Sequence, residues 1–519
     1  MRRRHLIKTI PFLVTPALAQ GTRPLRFVAQ ANLTSLDPVW TTAVIVYNHA
    51  YMVYDTLYGI DETGTPQPQM CAGHEVSADG LTWVFTLRDN LLFHDNETIR
   101  ARDCAASVRR WAARDSFGQQ MALATHEIAA IDDNRFHIRL KKPFRPLLYG
   151  LGGRQCFMMP ERVANTPPAE QLKDTTGSGP FRFLEKEWVS GVSAAYAKFD
   201  RYTPRPEKPN FYSGGKVVHF DRVEWLVLPD PATAAAALQK NEADWVELPL
   251  IDLCPMLKKS PGVVVKVVDP GGRMPFMVIN HLHPPFDNPK IRRAIWPALD
   301  QRVFIDSVIG DQSELGATLT GFFTPRLPMA SRAGTDIFDG SRDLALARKM
   351  IEESGYNNEP LLLLAPSDQP ALGQMTQVAR EMFQTMGLKV DYQVMDWGSI
   401  VTRRANKSPP GQGGWGAFIT VASAQTASGP GTALPMRGNG TKGWFGWTTD
   451  ERLEALRASW FDAPDLAAQK SIAEQVQRQA MESVPYVPLG QLFQPTAFRS
   501  DIKDIVRSSF PVFWGVRRG

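Results

Sequence analysis

Residues 361–394 leave this part of the chain little choice of architecture. The apolar run LLLL at 361–364 is too short for a core helix and suits a strand buried on both faces. Residues 374–385 then carry apolar side chains at helical spacing. Gly387 ends that helix, and Leu388, Val390, Tyr392 and Val394 alternate as a second strand. Strand, helix and strand in this order predict a parallel pair, because parallel neighbours need a crossover connection and the crossover is almost always right-handed. The middle of the chain is therefore α/β.

At 519 residues the chain exceeds what one core accommodates, so at least two lobes are expected. With 43% hydrophobic and 21% charged residues the composition is that of a folded chain, not a disordered one. Residues 25–38, LRFVAQANLTSLDP, read as a strand entering a loop, where Pro38 holds Asp37 extended. Val46, Ala50, Val53 and Leu57 have helical spacing and run into a turn at 61–64. Trp83, Phe85 and Leu87 fall on one face and Thr82, Val84 and Thr86 on the other, the pattern of a half-buried strand. PDPATAAAALQKNEADWVE reads as a helix and a short strand, and SRDLALARKMIEESGY as a helix with Ser341 as its N-cap and Gly355 beyond its end. Two helices follow Thr449 and give way to the extended segment VPYVPLGQ.

The first twenty residues, MRRRHLIKTIPFLVTPALAQ, start cationic, turn apolar and end in Ala17-Leu18-Ala19. They are expected to be an export signal cut after Ala19. The apolar stretch is shorter than the roughly twenty residues a membrane span needs, and no later segment is long and apolar enough to supply one. Arg3-Arg4-His5-Leu6-Ile7-Lys8 also resembles a twin-arginine signal, so both export routes stay open. Of the formal net charge of +5, Arg2, Arg3, Arg4 and Lys8 account for four. The mature chain is left at +1, a charge that indicates no nucleic-acid partner. Cys71, Cys104, Cys156 and Cys254 show no C-x-x-C spacing, which disfavours a zinc cluster or a redox motif. Disulfides and buried free thiols both remain open.

Several stretches resemble catalytic or binding motifs without their context. In WVFTLRDNLLFHDNET, His94-Asp95 lies between Asn90 and Asn96, which tolerate left-handed backbone, and no nucleophile motif accompanies it. The pair reads as turn architecture around a short strand at 91–93. Gly411-Gln-Gly413-Gly414-Trp-Gly416 matches G-x-G-x-x-G but follows Ser-Pro-Pro and enters a strand, so it is a loop and not a dinucleotide fingerprint. His281 and His283 share a strand face without further ligands nearby, and neither a metal nor a cofactor is expected. Trp397, Trp415, Trp444 and Trp447 lie in glycine-rich stretches. They suit either a rigid contact surface for a ligand or the sealing of a core.

Seven stretches, in order, resemble one family. They are Leu36-Asp37-Pro38; Tyr54-Asp55-x-Leu57; the block from Ala72-Gly73 through Asp79-Gly80-Leu81-Thr82-Trp83-Val84-Phe85-Thr86-Leu87-Arg88 to Phe93-His94-Asp95 and Ala101-x-Asp103; Gly177-Ser-Gly179-Pro180-Phe181; Pro285-Phe286-Asp287 with Lys290-Ile291-Arg292-x-Ala294; Asp300; and Val484-Pro485-Tyr486-Val487-Pro488-Leu489. Together they resemble the extracytoplasmic solute-binding proteins of family 5, the peptide/nickel/opine class serving ATP-binding-cassette importers.

The resemblance implies a two-lobed periplasmic-binding-protein-like α/β fold with an extra subdomain on the first lobe and the ligand in a cleft at the hinge. After the signal at 1–19, residues 20–44, 180–275 and 486–519 are assigned to the first lobe, 45–179 to the extra subdomain and 276–485 to the second lobe. The implied protein is a periplasmic, monomeric, non-enzymatic receptor. Its partners are a small or peptide-like ligand and the permease subunits of the inner membrane. A secreted hydrolase and a sensory receptor with the same cleft are the alternatives.

Ligand contacts are expected from Tyr47 and Asn48 in the first lobe and from Trp397, Trp415, Ser423, Gln425, Trp444 and Trp447 in the second. Arg403, Arg404 and Arg437 could meet a carboxylate on the ligand or be solvated, and solvation is the favoured reading. Peptide-binding relatives hold the ligand's amino group with an aspartate after the strand that here reads AFITV. This chain continues ASAQTASGP, which has no acid, so peptides with free amino termini are expected not to be its best ligands.

Overall fold

The structure, a computed structural model, describes residues 23–318, 320–338 and 342–519. The leader, its expected cleavage site and Ser341 lie outside the described residues.

The predicted crossover is present. The strand Leu361–Pro366 pairs in parallel with Val390–Met395, Leu361 opposite Val390, and the helix Pro370–Thr385 joins them. That helix starts earlier than its apolar spacing suggested because Pro370 occupies the first turn, where a missing N–H costs nothing. Every residue of Leu361–Pro366 is buried, as the unbroken leucine run required.

Two seven-stranded sheets organise the lobes. In the first, the order is Phe181–Phe183, Ser193–Lys198, Arg222–Leu226, Leu25–Val28, Trp245–Val246, Thr496–Arg499 and Val263–Lys266. In the second, Gly316–Ala317, Gln491–Leu492, Arg273–Ile279, Ala417–Ser423, Leu361–Pro366 and Val390–Met395 follow one another, and Tyr486–Pro488 also pairs with Arg273–Ile279. The chain therefore changes sheets between Lys266 and Arg273 and again between Leu492 and Thr496. Arg273 and the strand Tyr486–Pro488, given to the first lobe from sequence, belong to the second sheet. Pairing decides this: Phe276, Met277 and Val278 take their partners from Pro488, Val487 and Tyr486.

A separate four-stranded antiparallel sheet, Cys71–Val76, Thr82–Leu87, Arg135–Leu140 and Thr125–Ala130, forms the centre of the extra subdomain. The expected helix before it covers Val44–Val53 and stops short of Leu57, because Asp55 and Thr56 pair with Met158 and Phe157. The helix also packs elsewhere than assigned. Tyr51 stacks on Tyr212 at 4.4 Å and meets Trp514 at 6.4 Å, so it joins the first lobe's core.

Two of the family-like motifs turn out to anchor buried ion pairs. Asp37 accepts both Nη1 and Nη2 of Arg110, at 3.0 and 2.7 Å, with both residues at or below 3% exposure. Asp55 accepts from Lys216 Nζ at 2.7 Å and from the Tyr202 hydroxyl at 2.6 Å. Asn90, Asn96 and Asn241 adopt φ of 59°, 70° and 62°, the left-handed turn positions asparagine tolerates. The helix expected to begin at Ser341 is Leu344–Glu352, capped by Asp343, whose carboxylate accepts from the Leu346 N–H at 2.8 Å. All four cysteines are buried free thiols.

Candidate site at the hinge between the lobes

The two hinge crossings lie side by side. Gln491 Nε2 donates to the Gly271 carbonyl at 2.7 Å, and Gln494 Nε2 reaches back to Pro249 in the first lobe. Gly272 has φ +63°, and a Cβ there would stand 2.5 Å from the Leu492 carbonyl, so the approach of the two crossings demands glycine.

A shallow recess opens beside these crossings, lined by Trp245, Glu247, Asp269, Arg273, Gln494 and Ser509 among others. Its ionisable residues come from three places. Glu247 follows the strand Trp245–Val246, Asp269 lies in the first crossing, and Arg273 opens the strand Arg273–Ile279. Glu247 is 4% exposed and takes one hydrogen bond on each oxygen, from Asn48 Nδ2 at 3.0 Å and from the Gln30 N–H at 2.9 Å. Asp269 accepts from the Gly271 N–H at 2.9 Å and also contacts Ser509.

Burial raises the pKa of both carboxyls and lowers that of Arg273, whose charge the two acids favour. Among the described residues, the Arg273 guanidinium makes no hydrogen bond and none of the three groups forms an ion pair within 4.0 Å. Charges of opposite sign thus face one recess without neutralising one another.

Contacts across the cleft hold the lobes together around this place. Ser509 Oγ donates to Gln425 Oε1 at 2.5 Å, and the hydroxyls of Tyr149 and Ser428 lie 3.1 Å apart. At the outer seam Phe461 packs on Phe117 and Phe144 at 5.4 and 5.6 Å, beside the Lys142–Asp462 ion pair. A second, small apolar recess, lined by Phe276, Phe322, Ala422, Thr426, Ala427 and Tyr486, lies on the second lobe.

The expected contact residues fall into two groups. Tyr47, Asn48, Ser423 and Gln425 gather at the hinge. Tyr47 is half-buried against Phe510 at 5.6 Å, and its hydroxyl carries no hydrogen bond among the described residues. Ser423 lies opposite Arg273 in the sheet. Asn48 is fully buried and reaches the recess only through Glu247.

The four tryptophans lie elsewhere, in or against the core of the second lobe. Trp415 and Trp447 are 0% and 3% exposed with rings 5.5 Å apart, and Trp415 Nε1 donates to the Arg404 carbonyl. These two seal a core, which corrects their reading as ligand contacts. Trp444 is half-buried against Phe276 and Phe445, and Trp397 opens the helix Trp397–Arg403.

The three arginines are not solvated either. Arg403 holds the 411–416 loop through the carbonyls of Gly413 and Gly414, Arg404 lies over Phe445 at 4.6 Å with its pKa lowered by burial to about 10, and Arg437 pairs with Glu454. His94 is structural: its Nδ1 accepts from the Gly177 N–H and its Nε2 donates to the Gly179 carbonyl. His281 and His283 bond to separate carbonyls, of Val484 and Lys407, and no group of three metal-ligating side chains occurs among the described residues.

The loop after Ala417–Ser423 carries no acid, yet Ser509 links Gln425 to Asp269. The expected lack of a counter-charge therefore holds for the loop and not for the cleft. Sequence reasoning missed Glu247, Asp269 and Arg273. The available signal was the Asp269-Pro270-Gly271-Gly272 turn, which marks where the chain changes lobes.

Comparison with known proteins agrees with this architecture. Residues 65–444 match the bacterial extracellular solute-binding proteins, family 5, middle region. A probable peptide ABC transporter periplasmic-binding protein of Sinorhizobium fredii is 34% identical over 98% of this chain and 96% of its own length. A glutathione-binding protein of Pectobacterium atrosepticum is 24% identical over 71% of this chain and 68% of its own. Among solved structures, the periplasmic binding protein DppA of Helicobacter pylori with the peptide STSA superposes with a TM-score of 0.79 at 21% identity, covering 96% and 98% of the two chains. AgaA of Agrobacterium tumefaciens with agropinic acid reaches 0.78 at 20%, covering 96% and 99%. With two sheets, a doubly crossed hinge and a family match over most of its length, the chain belongs to the bacterial extracellular solute-binding proteins of family 5, the solute-capturing components of ATP-binding-cassette importers.

Proposed function

We propose that this protein is a monomeric, non-enzymatic periplasmic receptor that encloses a small peptide-like or otherwise polar solute at the hinge and presents the closed form to its permease. The observation that carries the reading is the charged recess at the crossings, bounded on its far side by the Ser509–Gln425 contact between lobes. Lobe closure is then a population shift: contacts made only when the lobes are shut supply the differential affinity. Relatives named for peptides, glutathione and agropinic acid support a polar organic solute. The apolar recess next to residues 422–427 suits a ligand with an uncharged body behind a charged end.

Native mass spectrometry of the exported, gently purified protein, compared before and after denaturation, tests the reading. Release of one stoichiometric small molecule from a monomer supports it. Chemical turnover of an added ester, peptide or glycoside, or a dimer as the only species, would overturn it.

A further inference from the structure

The hinge recess brings together three ionisable groups, Glu247 buried and Asp269 and Arg273 half-buried. Arg273 has five N–H donors and uses none of them on another described residue, although it lies in the field of Glu247 and Asp269. Each carboxylate already accepts hydrogen bonds from the framework, Glu247 from Gln30 and Asn48 and Asp269 from Gly271, so their positions are fixed before any ligand arrives. Had Arg273 closed directly on either acid, the recess would be a structural ion pair. Instead every guanidinium–carboxylate separation exceeds 4.0 Å, which leaves room for interposed atoms.

The arrangement also selects among ligand charges. A lone carboxylate on Arg273 would face two like charges, and a lone ammonium between the acids would face the guanidinium. A group carrying both signs one carbon apart satisfies all three residues and adds no net charge to the partly buried site.

We propose that this recess receives the zwitterionic α-amino-acid head of the solute, its carboxylate on Arg273 and its ammonium between Glu247 and Asp269. The inference rests on the capture reading above and names the chemical class of what is captured. Ordinary peptides split the two charges between opposite ends, whereas a side-chain-linked amino acid keeps both on one carbon.

Calorimetry with three probes separates these cases. γ-Glutamylglycine has an intact head, α-glutamylglycine is its isomer with the head divided, and N-acetyl-γ-glutamylglycine lacks the ammonium. The γ-isomer is expected to bind at least roughly tenfold more tightly than either other compound. Arg273→Gln and Asp269→Asn should each remove that preference while circular dichroism and melting show a folded protein, and Arg273→Lys should restore part of it. Equal affinities of the two isomers, no binding of the γ-isomer at millimolar concentration, or a preference that survives Arg273→Gln would each overturn the proposal. Native mass spectrometry keeps the two readings apart: a released solute without an α-amino-acid head sinks this inference and leaves capture standing.

Discussion

The Ser509 hydroxyl donates to the Gln425 side-chain oxygen at 2.5 Å, tying the carboxyl-terminal segment of the first lobe to the loop after an inner strand of the second. The partners belong to different lobes, so the bond bridges the cleft and is expected to favour the shut form. Gln425→Ala should weaken solute binding by roughly 2- to 10-fold, the range a single net hydrogen bond spans, with the melting temperature unchanged. Small-angle scattering should show a larger fraction of the open form. An unchanged affinity and scattering curve would mean that the contact is incidental to closure.

Trp415 and Trp444 are separated by burial, not by sequence context. Trp415 is fully enclosed, so Trp415→Ala should cost about 3–5 kcal/mol of unfolding free energy through the cavity it leaves. Trp444→Ala removes a half-buried ring and should cost less, about 1–2 kcal/mol. Denaturant unfolding of both variants measures the difference. A stable Trp415→Ala protein that has lost only solute binding would return this residue to the site.

Asp37 and Arg110 form a bidentate pair almost wholly removed from solvent. Removing one partner strands the other charge, so Asp37→Ala should destabilise by about 3–5 kcal/mol. The double variant Asp37→Leu with Arg110→Met should recover much of that loss, because no lone charge is then buried. Melting curves of the single and double variants decide it, and equal losses in both would show that packing, not charge, dominates there.

The buried His49 and the half-buried His94 and His281 shape the response to acid. Burial lowers His49 and His281 to about 3 and His94 to about 4, all below the ordinary 6.5. The unfolded chain therefore takes up protons first as pH falls. Their contribution to stability is complete above about pH 6.5 and is lost progressively below it, at roughly 1.4 kcal/mol per pH unit for the fully buried His49. Melting temperatures should hold from pH 8 to about 6.5 and then drop, and His49→Gln should flatten the fall. A melting temperature that is flat from pH 7 to 4.5 would contradict this assignment.

Much of the framework was legible because it rests on local rules. The parallel pair at 361–395 followed from apolar runs and a glycine stop, and the positive φ of Asn90 and Asn96 followed from turn chemistry. The boundary between lobes was less legible, since Tyr486–Pro488 has the same local pattern whichever sheet accepts it. The tryptophans misled for a related reason: a ring in a glycine-rich loop can cover a core or face solvent, and the sequence around Trp415 is the same in either case.

The sequence by itself determined the α/β class, the order of elements and the turn positions, because backbone propensity and apolar periodicity act over a few neighbouring residues. Only the tertiary structure decided the site. Glu247, Asp269 and Arg273 come from the end of one strand, the hinge crossing and the start of another strand, and they share a recess only once both sheets have formed. Their meaning lies in being close yet unpaired, and separations between side chains on different sheets follow from packing and not from spacing along the chain.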